Sequence, residues 1–307
     1  PMILCVGEIL ADMIGGVRDG GYVYERKAGG APFNVACAAK RFGARVGFAG
    51  SVGDDLIGAF LEDFAQKRGL DRLILNRDPE RNTTLAFVQL DEKGERSFCF
   101  YRKNTADYHL PEIGDSLLRE ADIVQIGSLM LSEETGRKYA QELAVRVHAL
   151  GKSVSFDVNF RTDIFRDMES ALAVYREIIR LADIVKFSED EVEIFGKEYL
   201  ETLSDKLVCV TLGGEGSEWR RAGKQARVPA IAVKPVDTTG AGDAFYAGFL
   251  SRLDSVRKED WTDGFLSDAL LFGNICGALN TLGKGAIDAL PSLEQVKTCF
   301  AEYKARR

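Results

Sequence analysis

A nine-residue segment at positions 237–245, with the sequence DTTGAGDAF, carries the clearest chemical signal in this chain. It stands between a strand-like run at 230–236 and an apolar run at 244–253 that is typical of a helix. The first N–H groups of a helix are free and lie at the positive end of its dipole, so a glycine-rich turn there can bind an anion. Asp243 would lie in the first helical turn beside that anion, where it could act as a general base or a metal ligand.

Simpler interpretations of the segment stay open. Thr239 or Asp243 would cap the helix, and the glycines would form a tight turn. The segment is not a dinucleotide-binding fingerprint, because Phe245 stands where the third glycine belongs. A P-loop is not indicated either, since the GKS sequence at 151–153 imitates its end but Arg146 stands in place of its first glycine.

Composition narrows the class of protein. Of the 307 residues, 46% are hydrophobic and 28% are charged, so we expect one α/β domain with a full core over residues 1–307. The net charge of −7 argues against nucleic acids and anionic membranes as partners. With only two histidines and six dispersed cysteines, a zinc site is not expected. No apolar run reaches membrane-spanning length and the N-terminus has no signal pattern, which predicts a soluble protein in the reducing cytoplasm.

The elements around the glycine-rich segment predict a doubly wound α/β fold. Short apolar strands alternate with helices, which is typical of a mainly parallel sheet with sites at the carboxyl ends of its strands. The predicted strands are 2–7, 46–50, 122–126, 154–157, 184–187, 207–212 and 230–236. The predicted helices are one that opens at 29–34 and runs to about 42, followed by 54–67, 132–150, 169–181, 244–253, 262–281 and 292–303, with a further helix between the strands at 184–187 and 207–212.

Two β-excursions depart from this rhythm. Residues 15–27 are rich in glycine and charge, and residues 83–101 alternate as a hairpin with its turn at 91–94. Paired with each other, segments at about 12–27 and 84–103 would form a small β-sheet that acts as a lid. Exposed apolar residues on this lid would also allow a homodimer to form through it.

Polar residues gather directly after several predicted strands, where such folds bind ligands. An arginine there can neutralise phosphoryl oxygens with its planar fork of donors, and an acid can hold Mg²⁺ through water. The clusters are Asp12, Gly29-Gly30 with Asn34, and the segments 157–161, 186–191 and 211–216. Their structural alternatives are a solvated acid for Asp12, a plain helix start at 29–34, an ion pair of Arg161 with Asp157 or Asp163, a capping box of Ser188 and Glu191, and a hairpin turn at 211–216.

Two of these motifs resemble the signatures of a known family. Residues 29–36, GGAPFNVA, are similar to the N-terminal signature of the ribokinase-like (PfkB) carbohydrate kinases, and residues 237–243 to their C-terminal signature. The resemblance covers essentially the whole chain. It implies a helix-flanked sheet with a β-lid that closes over a sugar, and ATP-dependent phosphorylation of a hydroxymethyl group. The implied cofactors are ATP, Mg²⁺ and, as in many members, K⁺.

The resemblance also implies roles for individual residues. Asp243 would take the proton of the sugar hydroxyl, and the transferred phosphoryl group would be stabilised by Gly240, Ala241, Gly242 and Arg161. The residues implied for sugar binding are Asp12, Gly29, Gly30, Asn34, Phe98, Arg102 and Asn159. Those implied for the nucleotide are Lys186, Ser188, Thr211, Gly213, Gly216 and Asn274. Glu191 would serve Mg²⁺, although Ser188 replaces the usual Asn of its motif. The positions matching a monovalent-cation site are Asp237, Thr239, Asn280, Gly283 and Gly285.

Within the family, the chain looks most like the fructokinases. GGAPFNVA, DVNFR and the lid sequence that leads to Ala106-Asp107 look like fructokinase segments, which implies D-fructose as acceptor and fructose 6-phosphate as product. The alternative is 2-keto-3-deoxygluconate kinase, which shares the Gly-Glu after the first strand, a lid arginine and the D-x-N-x-R motif. The alternative of another class is a sugar- or nucleotide-binding regulator without catalysis.

Overall fold

The computed structural model describes residues 1–90 and 96–306, and the predicted turn at 91–94 lies outside these ranges. The chain forms a nine-stranded sheet with helices on both faces and a second sheet of four strands. The strands within these ranges are β1 (Ile3–Val6), β2 (Leu10–Arg18), β3 (Gly21–Gly29), β4 (Val46–Gly53), β5 (Arg72–Asp78), β6 (Leu85–Leu90), β7 (Arg96–Tyr101), β8 (Ile123–Ile126), β9 (Ser153–Asp157), β10 (Ile184–Ser188), β11 (Leu207–Thr211), β12 (Ser217–Arg221) and β13 (Lys224–Val228). The α-helices are α1 (Ala31–Arg41), α2 (Leu56–Gln66), α3 (Asp115–Glu120), α4 (Glu134–Ala149), α5 (Met168–Leu181), α6 (Glu189–Phe195), α7 (Lys197–Glu201), α8 (Ala241–Asp254), α9 (Asp263–Asn280) and α10 (Leu293–Ala305).

The large sheet has the strand order β13-β12-β11-β10-β9-β8-β1-β4-β5. The strands from β11 to β5 run parallel, and β12 and β13 add an antiparallel hairpin at one edge. The chain passes from β1 outward to β4 and β5, and then returns to β8 on the other side of β1. In open α/β sheets, ligands bind in the crevice at such a reversal, at the carboxyl ends of the strands.

The alternation of side chains along the strands explains the two hydrophobic cores. Ile3 and Cys5 of β1 pack with α1, α8 and α9 on one face of the large sheet, whereas Leu4 and Val6 pack with α4 and α5 on the other. Because both faces are covered, the parallel strands are apolar nearly throughout, and polar side chains collect at their carboxyl ends. None of the helices described here is both long enough and apolar enough to span a bilayer.

The two predicted β-excursions pair with each other in the four-stranded sheet, called the small sheet below. Its order is β3-β2-β6-β7, with antiparallel pairs at its edges and a parallel pair between β2 and β6. Strand β2 begins at Leu10, four residues after β1 ends. The small sheet therefore extends from the carboxyl edge of the large sheet, beside the reversal point.

The predicted strand at 230–236 is wrong, because the segment has irregular structure. Pro235 has no N–H to donate to a ladder. The N–H groups of Val236 and Asp237 instead donate to the carbonyl of Thr281, at 2.7 and 3.1 Å. Ile231 and Val233 of the segment pack against the core without a strand partner, whereas Val236 is exposed. The glycine-rich turn is thus positioned by the end of α9 and not by a preceding strand.

Candidate active site

A cavity of about 300 Å³ lies at the reversal point of the large sheet, beside the small sheet. The predicted catalytic residues that line it are Asp243, Gly240, Gly242 and Arg161, and Ala241 lies between the two glycines. The predicted sugar-binding residues that line it are Asp12, Gly30, Asn34, Phe98 and Asn159. Lys186 from the predicted nucleotide group and Thr239 from the predicted cation group line it too. The fold thus brings most of the predicted sugar and phosphoryl residues into one cavity.

Asp243 is the third residue of α8, as predicted for a residue in its first turn. Gly240 precedes the helix with φ of +74°, and a Cβ at this position would clash with Ala286, so the turn requires glycine. The Asp243 carboxylate accepts a hydrogen bond from Asn34 Nδ2 at 2.9 Å, across 209 positions of sequence. Burial raises the pKa of Asp243 to about 6, although the Asn34 hydrogen bond opposes the rise. The carboxylate is therefore ionised at neutral pH and suited to accept a proton.

Two cationic side chains flank Asp243 in the cavity. Lys186, only 7% exposed, binds both oxygens of Asp157 at 3.0 and 3.1 Å. Burial lowers the pKa of Lys186, but the charges of Asp157 and Glu191 outweigh it and hold the pKa above its usual range. Asp157 pairs with Lys186, its partner among the described residues. The half-buried Arg161 lines the cavity, and its guanidinium carbon lies 5.8 Å from the ring centroid of Phe100. Arg161 is thus in place to meet a developing negative charge.

The sugar-binding side of the cavity carries unpaired polar atoms. Burial raises the pKa of Asp12 to about 6. A Cβ on Gly29 would clash with the Asp12 carboxylate, so the glycine pair leaves room for this acid. Asn34 Oδ1 is buried and has no hydrogen-bond partner among the described residues. Asn159 has a left-handed φ of +35°, and its carbonyl accepts a hydrogen bond from Ser128 Oγ at 3.1 Å. Such strain and unmet hydrogen-bonding capacity are common at ligand sites.

Arg102 is the predicted sugar-binding residue that the fold turns away from the cavity. Its Nη2 and Nε lie 2.6 and 3.1 Å from Asp107 Oδ2, and its Nη1 donates to Ser132 Oγ at 2.7 Å. Thr84 and Thr105 donate to the other oxygen of Asp107 at 2.6 and 2.7 Å. The arginine is thus neutralised in a buried network at the base of the small sheet.

Apart from Lys186, the predicted nucleotide residues lie along the same sheet edge, outside the cavity. Thr211 ends β11 directly across from Ser188 of β10. Gly213 and Gly216 follow in the turn that joins β11 to the antiparallel β12, so the hairpin alternative describes the backbone correctly. The amide of Asn274 accepts from Ser217 Oγ at 2.8 Å and donates to the carbonyls of residues 228 and 229, which ties α9 to the edge hairpin.

Glu191 forms the capping box with Ser188 that the sequence allows. Its Oε1 accepts from the backbone N–H of Ser188 at 2.8 Å, and its Oε2 accepts from that of Phe160 at 2.6 Å. Burial, followed by the charge of Asp157, raises the pKa of Glu191. The Glu191 side chain therefore links Ser188, where α6 begins, to Phe160 in the loop after β9, close to the Lys186–Asp157 ion pair.

The predicted cation-binding residues meet around the carboxylate of Asp237. This carboxylate accepts from the N–H and Oγ1 of Thr239 at 2.9 and 2.6 Å and from the N–H of Gly285 at 2.9 Å. Burial raises the pKa of Asp237, but these hydrogen bonds and one from Arg96 lower it well below its usual range. Asn280 Nδ2 lies 3.4 Å from the carbonyl of Thr239, and its buried Oδ1 is unpaired in the described part of the chain. Gly283 lies in the loop between Asn280 and Gly285.

Three polar residues that line the cavity lie outside the predicted site residues and polar segments: Glu8, Arg96 and Ser128. Arg96, at the start of β7, donates to Thr239 Oγ1 at 2.7 Å and to Asp237 Oδ1 at 3.0 Å, so it joins the small sheet to the glycine-rich segment. Glu8 had a detectable signal, because it is an acid directly after a buried strand. Ser128 and Arg96 had none in their local sequence.

Comparisons with known proteins agree with this arrangement. The model for the pfkB family of carbohydrate kinases matches residues 1–293. The chain is 36% identical to probable fructokinase-7 of Arabidopsis thaliana over 99% of this chain and 94% of that protein. It is similar to the crystal structure of fructokinase with bound ATP from Xylella fastidiosa, with a TM-score of 0.93, 31% identity and 99% of both chains covered. A double mutant of fructokinase from Vibrio cholerae O395, in a form with fructose, ADP and potassium ion bound, gives a TM-score of 0.85 at 33% identity over 97% of both chains.

Proposed function

The chain belongs to the pfkB family of carbohydrate kinases, and we propose that it transfers the γ-phosphoryl group of ATP to the hydroxymethyl group of D-fructose. The product is fructose 6-phosphate. The observation that carries the proposal is the ionised, buried Asp243, oriented by Asn34 and placed in the first turn of α8 beside the amides of residues 240–242. The fructokinases among the similar proteins support D-fructose as the acceptor.

The mechanism follows from the positions of these groups. Phosphoryl transfer needs in-line positioning and neutralisation of charge more than covalent help. Asp243 accepts the proton of the attacking hydroxyl while Asn34 holds the carboxylate in place. The amides at the start of α8 and the guanidinium of Arg161 stabilise charge on the phosphoryl oxygens. Asp12, Gly30, Asn34 and Asn159 bind the other sugar hydroxyls.

The Arg102–Asp107 pair favours a neutral sugar over a sugar acid. Binding the carboxylate of 2-keto-3-deoxygluconate calls for a free cation near the small sheet. Arg102 is bound to Asp107 at 2.6 Å, and Arg96 is bound to Asp237. Of the arginines that line the cavity in the described part of the chain, this leaves Arg161, to which the proposed mechanism gives the phosphoryl group. The charges of the cavity therefore favour D-fructose as the acceptor.

Two cation sites belong to the proposal. Carboxylate oxygens have spare lone pairs, so Glu191 can still accept from water on Mg²⁺, which would neutralise phosphate charge when bound. The unpaired Asn280 Oδ1, with the Asp237 carboxylate and the loop that carries Gly283 and Gly285, fits a monovalent cation such as K⁺. The proposed nucleotide site lies along β10, β11 and the hairpin of β12 and β13. Its residues are Lys186, Ser188, Thr211, Gly213, Gly216 and Asn274.

We assign the small sheet the role of a lid on one kinase domain of residues 1–307, with lid segments at about 12–27 and 84–103. Phe98 and Arg96 face the cavity from this sheet, so its closure would exclude water from the phosphoryl group. Its opposite face exposes aromatic side chains, which supports a homodimer through the lid. The cysteines of the described residues are free, and Cys99 is exposed, which fits the reducing cytoplasm.

The test is ADP release from ATP and Mg²⁺ with D-fructose, 2-keto-3-deoxygluconate, ribose and adenosine in parallel. We expect turnover with fructose to dominate. Preference for the keto-deoxy acid would overturn the proposed acceptor and leave the phosphoryl-transfer mechanism intact. Silence with all four acceptors, while sugar or nucleotide still binds, would overturn catalysis and favour a regulator.

A further inference from the structure

Glu8 is a buried acid to which the proposed mechanism gives no role. It follows β1 and is only 4% exposed. Its Oε2 is fully buried and finds no hydrogen-bond partner in residues 1–90 and 96–306. Leaving a buried polar atom unpaired is unfavourable, so such an atom calls for an explanation. A ligand bound in the cavity would provide this explanation, because Glu8 lines the same cavity as Asp243.

Two glycines leave room for Glu8 at the cavity wall. A Cβ on Gly127, which follows β8, would come within 2.9 Å of Glu8 Oε2. A Cβ on Gly30 would come within 2.5 Å of the Glu8 carbonyl oxygen. The acid therefore lies where the chain leaves β1 and β8, at the reversal point of the large sheet.

Burial keeps the Glu8 carboxyl neutral. Burial raises the pKa of Glu8 to about 8, although a backbone hydrogen bond lowers it, and the charge of Asp107 adds to the rise while Arg102 and Arg161 oppose it. Arg102 is bound to Asp107 at 2.6 Å, so it is not free to pair with Glu8. Tyr175 on α5 is the other titratable group near Glu8. A neutral carboxyl offers one O–H donor and acceptor lone pairs to a ligand hydroxyl.

We propose that Glu8 binds one hydroxyl group of the sugar acceptor as a neutral carboxylic acid and thereby selects sugars that carry this hydroxyl over their deoxy analogues. The inference rests on the proposed sugar kinase activity and adds a recognition residue to it. Glu8 supplies the donor that the neighbouring carboxylate of Asp12 lacks. The hydroxyl in turn supplies the partner that Glu8 Oε2 lacks in the protein alone.

The first test compares Glu8→Leu with Glu8→Gln on D-fructose and its monodeoxy analogues. The wild type should prefer fructose over one analogue by roughly tenfold or more, because that analogue leaves Glu8 unpaired. Glu8→Leu should abolish this preference and keep the preference over the other analogues. Glu8→Gln, which keeps a donor and an acceptor, should retain most of the preference for fructose over that one analogue. An equal loss on every substrate in Glu8→Leu would show a structural role and overturn the proposal.

The second test measures fructose binding by calorimetry without ATP from pH 6 to 9, so it does not depend on turnover. Wild-type affinity should fall above pH 8 as Glu8 loses its proton, and Glu8→Gln should lack this fall. Asp12 and Asp243, with pKa values of about 6, are already ionised at pH 8, so they do not cause a fall above that pH. The same alkaline fall in Glu8→Gln would overturn the proposal. If the wild type binds and phosphorylates none of the sugars, the proposed function fails instead.

Discussion

Asp243 combines three properties that a general base needs. It is buried, its carboxylate is held by Asn34 at 2.9 Å, and its pKa of about 6 leaves it ionised near neutral pH. We expect Asp243→Asn to lower kcat by roughly 10²–10⁴-fold, the usual contribution of a positioned base, with fructose binding largely kept. Steady-state kinetics with calorimetric sugar binding would measure both quantities. Near-normal turnover would remove Asp243 from this role.

The pH dependence of the reaction follows from the same carboxylate. The pKa of Asp243 is raised to about 6, so the base is lost by protonation as the pH falls through 6. We therefore expect kcat/KM for the sugar to fall about tenfold per pH unit below 6. Asp12 has a similar pKa, so the profile should be measured in Asp12→Asn as well. If kcat/KM of the Asp12→Asn variant stays constant down to pH 5, the fall at low pH in the wild type is due to Asp12 and not to Asp243.

Among the elements, the small sheet depends on Arg96 for its contact with the glycine-rich segment. The guanidinium bonds to Thr239 and Asp237 at 2.7 and 3.0 Å, and the side chain is 41% exposed. A half-exposed pair contributes only about 0–1 kcal/mol to stability, so Arg96→Ala should fold normally. We expect kcat/KM for fructose to fall roughly three- to tenfold, and ATP hydrolysis without sugar to rise, because the sheet closes less well over the cavity.

The matched control is Arg18→Ala, which removes an exposed arginine from β2 of the same sheet. It should leave both rates within about twofold of the wild type, as expected for a surface change away from the cavity. If the two variants behave alike, Arg96 does not couple the small sheet to the reaction.

At the same scale, the sequence predicts those elements whose signal is local. The central parallel strands are mainly apolar runs buried on both faces, and the hairpin at 83–101 alternates with period two, so both were predictable. The parallel edge strand β5 was missed, because polar and charged residues flank its short apolar run. The edge strands β12 and β13 were not predicted either, because charged residues interrupt both of these short strands. The usable signals were the glycine-rich turn at 211–216 and the turn at Ala222-Gly223, where φ is +50° and +78°. The strand at 230–236 failed because apolar residues pack on a core equally well without a ladder.

The residues of the candidate site were likewise predictable where their signal lies in a local motif. Asp243 and the glycines stand in one contiguous motif, and the resemblance to a family adds residues such as Asp12 and Asn34. Arg102 shows one limit, since Asp107 is only five positions away and the two residue types do not tell that the arginine turns towards it. Arg96 shows another, because its partner Asp237 is 141 positions away. Such a partner depends on how two elements pack, and a single sequence does not contain that information locally.

For the whole molecule, the outer face of the small sheet is the feature that bears on assembly. Tyr22, Tyr24, Phe87 and Tyr101 form a chain of edge-to-face contacts with centroids 4.9 to 5.3 Å apart. The three tyrosines are 41–59% exposed. Phe87 and Tyr101 neighbour Ala86 and Phe100, which line the cavity, so by alternation this face points away from it. An exposed aromatic patch on a sheet with open edges is typical of an interface.

A twofold contact between two copies of this face would bury the aromatic patch on both. We expect sedimentation velocity to find a dimer for the wild type. Tyr24→Lys should raise the dimer dissociation constant ~30-fold or more, because it buries an unpaired charge at the centre of the contact. Val145→Lys, at a 57% exposed position on α4, is the matched control and should leave the dimer intact. A wild type that stays monomeric at tens of micromolar would remove the interface. A Tyr24→Lys variant that dimerises normally would place the interface elsewhere.

Since the inner face of the same sheet lines the cavity, dissociation of the dimer should also raise KM for fructose, which links assembly to the closure of the site.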